Sequence, residues 1–178
     1  LISEIKELDE IFVPPGAGDE SLSIGASWAL LDIQNNENYY RKNIKPVTNA
    51  YLGSNISKSD FEIFFKHPLI SKDYKIIEGN PNQLAAEALY NQEIVGLCRN
   101  RMEFGPRSLG NRSIIANPSS KETIIKINEA IKGRDFWMPF APSINLGREN
   151  VYLTNQPNID LSYMTSTVNS KKISEKHF

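Results

Sequence analysis

YKIIEGNPNQLAAEALYNQEIVGLC, residues 74–98, reads as strand, helix, strand. "YKII" and "IVGLC" are short apolar runs. The segment between them starts with Asn80 as a helix cap and Pro81 at the first helical position. A strand, a helix and a second strand in so short a span predict a right-handed parallel crossover, and with it an α/β fold. Downstream, "SIIA" (113–116) reads as another strand. "SSKETIIKINEAIKGRD" (119–135) reads as a helix capped by Ser119 or Ser120, with Ile124, Ile127 and Ile131 as its apolar stripe. "PFAPSI" leads into extended chain, and "LSYMTSTV" (161–168) could be a last strand.

Upstream, Leu1, Ile5 and Leu8 form the stripe of a short helix, and "IFV" (11–13) reads as a buried strand stopped by "PPGAGDE". From Asp19 the pattern turns helical, with Leu22, Ala26, Ala29, Leu30 and Ile33 on one face, and "QNNEN" ends it. Residues 38–72 read as a connector. "SKSDFEIFFKHP" adds one or two helical turns there, capped at Ser59 or Asp60 and stopped by Pro68.

The chain has 178 residues, and 20 Lys+Arg stand against 21 Asp+Glu, a formal charge of −1. That balance argues against a general nucleic-acid binder, which needs a basic surface to release counterions. The single cysteine, Cys98, excludes an internal disulfide and fits a reducing compartment, so a cytoplasmic location is expected. No apolar run approaches the ~20 residues that span a bilayer, so no membrane association is expected. "LISEIKELDE" does not read as a signal peptide. A start at Leu1, directly on an amphipathic pattern, points to a piece of a longer protein.

Against this balanced charge, "RMEFGPRSLGNRS" (101–113) gathers Arg101, Arg107 and Arg112 on one glycine-broken loop. Arginine offers a planar fork of donors that matches phosphate or carboxylate, with a permanent charge. Loops at strand ends are where open α/β sheets hold ligands. Gly105 and Gly110 permit close backbone approach, and Pro106 stiffens the turn carrying Arg107. Glu103 can orient an arginine or accept from a ligand. A small, highly charged anion such as a nucleotide phosphate or an acyl phosphate suits this loop. The alternative is surface pairing with Glu103, Glu122 and Glu129, each pair worth about 0–1 kcal/mol. Lys132 and Arg134 could add charge from a second side, or simply be cations at a helix C-terminus.

Between Asn100 and Ile144 the chain reads "NRMEFGPRSLGNRSIIANP" and then "NEAIKGRDFWMPFAPSI". This resembles the signature of the O-carbamoyltransferases of nodulation-factor and antibiotic biosynthesis: "GRMEFGPRALGNRSI", an N-x-x-I-K-x-R helix, and "PFAPS". "PPGAGDESLSIGAS" resembles the P-x-x-G-D-x-G-x-x-x-G-A segment that closes the family's actin-superfamily ATPase-like domain. The resemblance implies three parts. Residues 1–36 would be a helix-and-strand remnant of the ATPase-like carbamoyl-transfer domain, and 37–72 a connector. Residues 73–178 would be an incomplete YrdC-like domain, a twisted α/β sheet with flanking helices around a basic cavity.

The resemblance also implies the chemistry. Carbamoyl phosphate and ATP yield carbamoyl adenylate in the YrdC-like domain, with magnesium accompanying ATP. The other domain, with iron or a similar metal, passes the carbamoyl group to a hydroxyl of a small molecule or glycan. By position, Arg101 and Arg107 match the family's cations on the carbamoyl and phosphate groups. Arg112, Ser113, Lys132 and Arg134 match further substrate-binding motif positions. Asp19 aligns with an aspartate ligand of the metal, although it also suits the cap of the helix it begins.

Two substitutions depart from the pattern. Met138 stands where arginine usually precedes "PFAPS", and Ser108 stands for alanine. Two later segments, H-x-D-G-T-x-R and N-T-S-F-N, would fall beyond Phe178. Their lack would leave apolar surface and a sheet edge open, so self-association into a homo-oligomer is expected. The rival readings are a non-catalytic nucleotide or anion module, and a YrdC-type relative acting on tRNA.

Overall fold

The computed structural model describes residues 2, 5–9, 11–35, 42–43, 45, 47–154 and 159–176. The fold is a mixture of helices and one small sheet, organised as two compact units. The first unit takes in 1–54, 101–109 and 157–167; the second takes in 55–100, 110–156 and 168–178.

In the first unit, a 3-10 turn at Asp19–Ser21 runs directly into helix α1, Leu22–Asn35. The expected apolar face is present, but Leu22 (68%), Leu30 (54%) and Ile33 (81%) remain exposed. The strand expected at 11–13 is reduced to a single parallel bridge between Ile11 and Ile159. Phe12 is exposed there, so no sheet covers the run. Leu1, and the residues 36–38 of "QNNEN", lie outside the described residues; Ile5 and Leu8 sit in turns rather than on a helix.

The second unit contains most of the regular structure. Helix α2, Lys58–Lys66, is capped by Ser57, two residues earlier than Ser59. Ser57 Oγ accepts the Asp60 amide at 3.2 Å, and Asp60 accepts the Ser57 amide at 2.8 Å, a reciprocal capping box. The Ser57 amide, and after it the Ser57 hydroxyl donating to Asp60 Oδ2 at 2.7 Å, hold the Asp60 carboxyl below its ordinary pKa. His67 ends α2 and caps the next helix, α3, Pro68–Asp73, so Pro68 stops one helix and starts another. Helix α4, Pro81–Tyr90, begins as expected, with Asn80 Oδ1 accepting from the amides of Asn82 and Gln83.

The sheet differs from expectation. Strand β1, Val95–Cys98, pairs antiparallel with β2, Arg112–Ile115, in the register Val95↔Ile115 to Cys98↔Arg112. Residues 74–77 form no strand, and Tyr74, Ile76 and Ile77 are 65%, 52% and 58% exposed. The parallel crossover is therefore absent from the described residues. The neighbour of "IVGLC" is the strand that returns after the arginine loop.

Helix α5, Lys121–Lys126, is capped by Ser120, whose hydroxyl accepts the Thr123 amide. It then widens into a π-helical turn at Ile127–Ile131. Ile127 of the expected stripe is buried, whereas Ile131 is half exposed. "LSYMTSTV" contains turns and no strand. A single bridge joins Leu153 to Ser170, following the short helix α6, Glu149–Tyr152. Among the described residues the buried apolar side chains are Ala50 and Ile127, and much of the remaining apolar surface is exposed.

Candidate functional site

Each unit contains part of the arginine-rich segment. In the first, residues 102–104 run beside 50–54. Gly53 donates to the Met102 carbonyl and Met102 to the Ser54 carbonyl, both at 3.0 Å, and Phe104 donates to Ala50 at 2.6 Å. Arg101 fastens the same strip from its side chain: Nε donates to the Gly53 carbonyl at 2.9 Å and Nη2 to the Leu52 carbonyl at 2.8 Å. The loop beyond is closed by Glu103, whose Oε1 accepts the Leu109 amide at 2.8 Å. Tyr51 Oη donates to the Leu109 carbonyl at 2.9 Å.

Arg107 sits at the exposed crest of this closed loop and has no partner among the described residues. The two arginines therefore do different work. Arg101 builds the loop, and Arg107 is the cation the loop presents.

The same unit brings the "PPGAGD" turn against this loop. Gly105 has φ +104°, and a Cβ there would stand 2.7 Å from the Pro15 carbonyl oxygen. Gly16 is close-packed against side chains, since its Cβ would stand 2.9 Å from Glu20 and 3.0 Å from the Phe104 ring. At Gly105, where the neighbour is backbone, only glycine allows so close an approach. Asp19 follows on the same turn. The cap position belongs to Gly18, which makes no side-chain cap bond, so Asp19 lies inside the first turn. Its carboxylate is exposed, with no partner among the described residues and a favourable place at the positive end of the helix. Among the described residues, no three His, Cys, Asp or Glu side chains gather as a metal site.

In the second unit, Arg112 Nη1 donates to the Arg99 carbonyl at 2.6 Å and to the Asn111 carbonyl at 3.0 Å, and Nη2 reaches Asn100 at 3.2 Å. Ser113 Oγ accepts the Gly110 amide at 2.9 Å, where Gly110 turns with φ +102°. Both side chains shape the entry to β2. Arg134 Nε donates to Asn128 Oδ1 at 2.6 Å, and its guanidinium carbon lies 4.5 Å from the Phe140 ring centre. Lys132 is exposed, and its amine has no partner among the described residues. Asn128, passed over as a candidate on sequence, is fully buried in this unit. Its signal was the leading asparagine of the N-x-x-I-K-x-R pattern.

The carbamoyltransferase C-terminus family matches residues 86–178, a stretch that includes every arginine named above. The chain belongs to that family. It is 41% identical over 160 residues to an uncharacterized protein of Methanocaldococcus jannaschii, covering 87% of this chain and 29% of that protein. It is 31% identical to nodulation protein NolO of Bradyrhizobium diazoefficiens, covering 76% of this chain and 24% of that protein. With nodulation protein NolNO of Sinorhizobium fredii it shares 33% identity over 76% of this chain and 19% of that protein. This carbamoyltransferase-family chain thus spans less than a third of the length of each of these relatives. No helix among its described residues is long and apolar enough to cross a membrane.

Proposed function

We propose that this chain is the part of an ATP-dependent O-carbamoyltransferase that holds carbamoyl phosphate and ATP. Water cleaves carbamoyl phosphate to carbamate and phosphate, and carbamate displaces pyrophosphate from ATP to give carbamoyl adenylate. The carbamoyl group then passes to a hydroxyl as AMP leaves. The observation that carries the reading is the family match across the arginine loop, joined to the unengaged Arg107 at that loop's crest. In this reading residues 73–178 belong to a YrdC-like domain and residues 1–36 to the end of an ATPase-like one. Arg107 meets the negative charge of the phosphate and carbamoyl groups with its fork of donors. Arg101, Glu103 and Gly105 hold the backbone of the loop that presents this fork before substrate arrives. Arg112 and Ser113 position backbone rather than touch substrate.

Among the described residues, Asp19, one carboxylate with free oxygens on a tight turn, is the group that would hold a divalent metal in this reading. Bound there, it would polarise the acceptor or the transferred carbonyl. Asp19→Asn in the full-length protein is expected to lower metal content and the final transfer to the hydroxyl, and to spare adenylate formation. Because Gly18 is the cap residue, helix stability should barely change. Metal analysis alongside the two half-reactions checks this, and unchanged metal content would remove Asp19 from the ligand set.

A further inference from the structure

Two features of the second unit have no place in the reading above: a fully buried asparagine and an exposed tryptophan. Asn128 is 0% exposed, and both ends of its amide are in use. Its Oδ1 accepts Arg134 Nε at 2.6 Å, while its Nδ2 donates to the carbonyls of Phe136 and Met138, each at 3.0 Å. A buried amide needs partners. These partners are unusual in bracketing one residue, Trp137, whose neighbouring peptides are pinned on both sides. Trp137 itself is 64% exposed.

The other exposed aromatics of this unit include Phe61, Phe64 and Phe65, which lie along helix α2 and stack on one another, as an ordinary amphipathic face does. Trp137 is on no helix, and the backbone that carries it is anchored to a buried polar group. The same asparagine orients Arg134, whose guanidinium is further steadied over Phe140 and by a long bond from Nη2 to the Pro139 carbonyl at 3.5 Å. One buried side chain thus fixes a permanent cation and the peptides around a large exposed ring, three residues apart. Lys132, with a free amine, lies at the end of the same π-helical turn.

An exposed planar ring three residues from a fixed cation supplies the two chemistries that recognise a nucleoside phosphate. The base stacks on the ring, and the phosphate takes the guanidinium fork. We propose that Asn128 sets Trp137 and Arg134 as a nucleotide subsite, with the indole against the base, the guanidinium on phosphate, and Lys132 adding charge. This rests on the reading that the protein uses ATP, and deepens it by naming what holds the base.

The chain has two tryptophans, Trp28 and Trp137, so Trp28→Phe leaves Trp137 as its sole indole fluorophore. In that background ATP is expected to quench the emission saturably. Adenosine should need about tenfold more ligand or beyond, since it lacks the phosphate, and inorganic phosphate should leave the indole unmoved. Arg134→Gln should raise the ATP midpoint about tenfold and leave the adenosine midpoint in place. Equilibrium dialysis with ATP should find Trp137→Phe within a few-fold of the parent and Trp137→Ala about tenfold weaker, with circular dichroism confirming the fold. Asn128→Asp retains the acceptor for Arg134 but loses both donors to the peptides around Trp137, so adenosine binding should weaken. Emission insensitive to ATP, equal ATP midpoints with and without Arg134, or full ATP binding by Trp137→Ala would each overturn the proposal. No carbamoyl phosphate or acceptor is present in these assays, so their failure leaves the carbamoyl-transfer reading standing.

Discussion

Arg107→Ala in the full-length protein is expected to abolish carbamoyl adenylate formation while leaving the thermal midpoint unchanged. The side chain is exposed and has no partner among the described residues, so the folded chain loses nothing when it is shortened. The bound anion loses a great deal. A hydrogen bond involving a charged group is worth about 1.5–3 kcal/mol. A two-pronged guanidinium contact therefore corresponds to a rate loss on the order of 10²–10⁴-fold. Arg101→Ala should behave differently. It removes the bonds to the carbonyls of Leu52 and Gly53, so it should lower the melting temperature as well as the activity. Paired melting curves and pyrophosphate-release assays distinguish the two roles. Equal destabilisation by both variants would mean that the division of labour between these arginines is wrong.

Gly105→Ala is expected to be the most damaging small substitution in the loop. Its backbone lies at φ +104°, where a side chain is strained by about 1–3 kcal/mol. Its methyl group would also stand 2.7 Å from the Pro15 carbonyl oxygen, which is backbone and cannot swing aside. The "PPGAGD" turn and the loop would be forced apart, which moves Arg107 relative to the Asp19 turn. Both a lower thermal midpoint and loss of adenylate formation should follow. Gly133→Ala is the control: it has φ +56° but open space around it, so it bears backbone strain without the collision. Equal effects of the two alanines would show that the close approach to Pro15 is unimportant.

The contrast between these residues shows what the sequence could tell. Local chemistry was legible wherever a few neighbouring residues decide the structure. Asn80 followed by Pro81 starts helix α4 as read, and Ser120 caps helix α5, because caps depend on a side chain and an amide two or three residues away. Strand partnership was not legible. "IVGLC" reads as a continuous apolar strand, but its neighbour is chosen by tertiary contact, and the loop after it turns back through positive-φ Asn100 and Gly110 into an antiparallel pair. The capping residue of helix α2 was missed because Ser57, Ser59 and Asp60 all offer an oxygen within one turn, and only the three-residue spacing of the reciprocal box selects Ser57.

The candidate site divides along the same line. Arginine's fitness for anions is a property of the residue, so the loop stood out at once. Which guanidinium remains free is a property of the fold. Arg101 and Arg112 turn to backbone carbonyls that no local pattern places beside them, whereas Arg134 commits its Nε to Asn128. Asn128 escaped notice because an asparagine next to Ile127 in a helical stripe looks like a solvated position. The π-helical turn is what carries it inward.

The central claim is that this family member turns carbamoyl phosphate, one water and ATP into carbamoyl adenylate, releasing phosphate from the first and pyrophosphate from the last, and that Arg107 is needed for it. The most direct measurement is pyrophosphate release from ATP by the full-length protein, with and without carbamoyl phosphate and with no acceptor present. The account predicts release only when carbamoyl phosphate is added, and its loss in Arg107→Ala. Release that ignores carbamoyl phosphate, or that continues undiminished in Arg107→Ala, would contradict it.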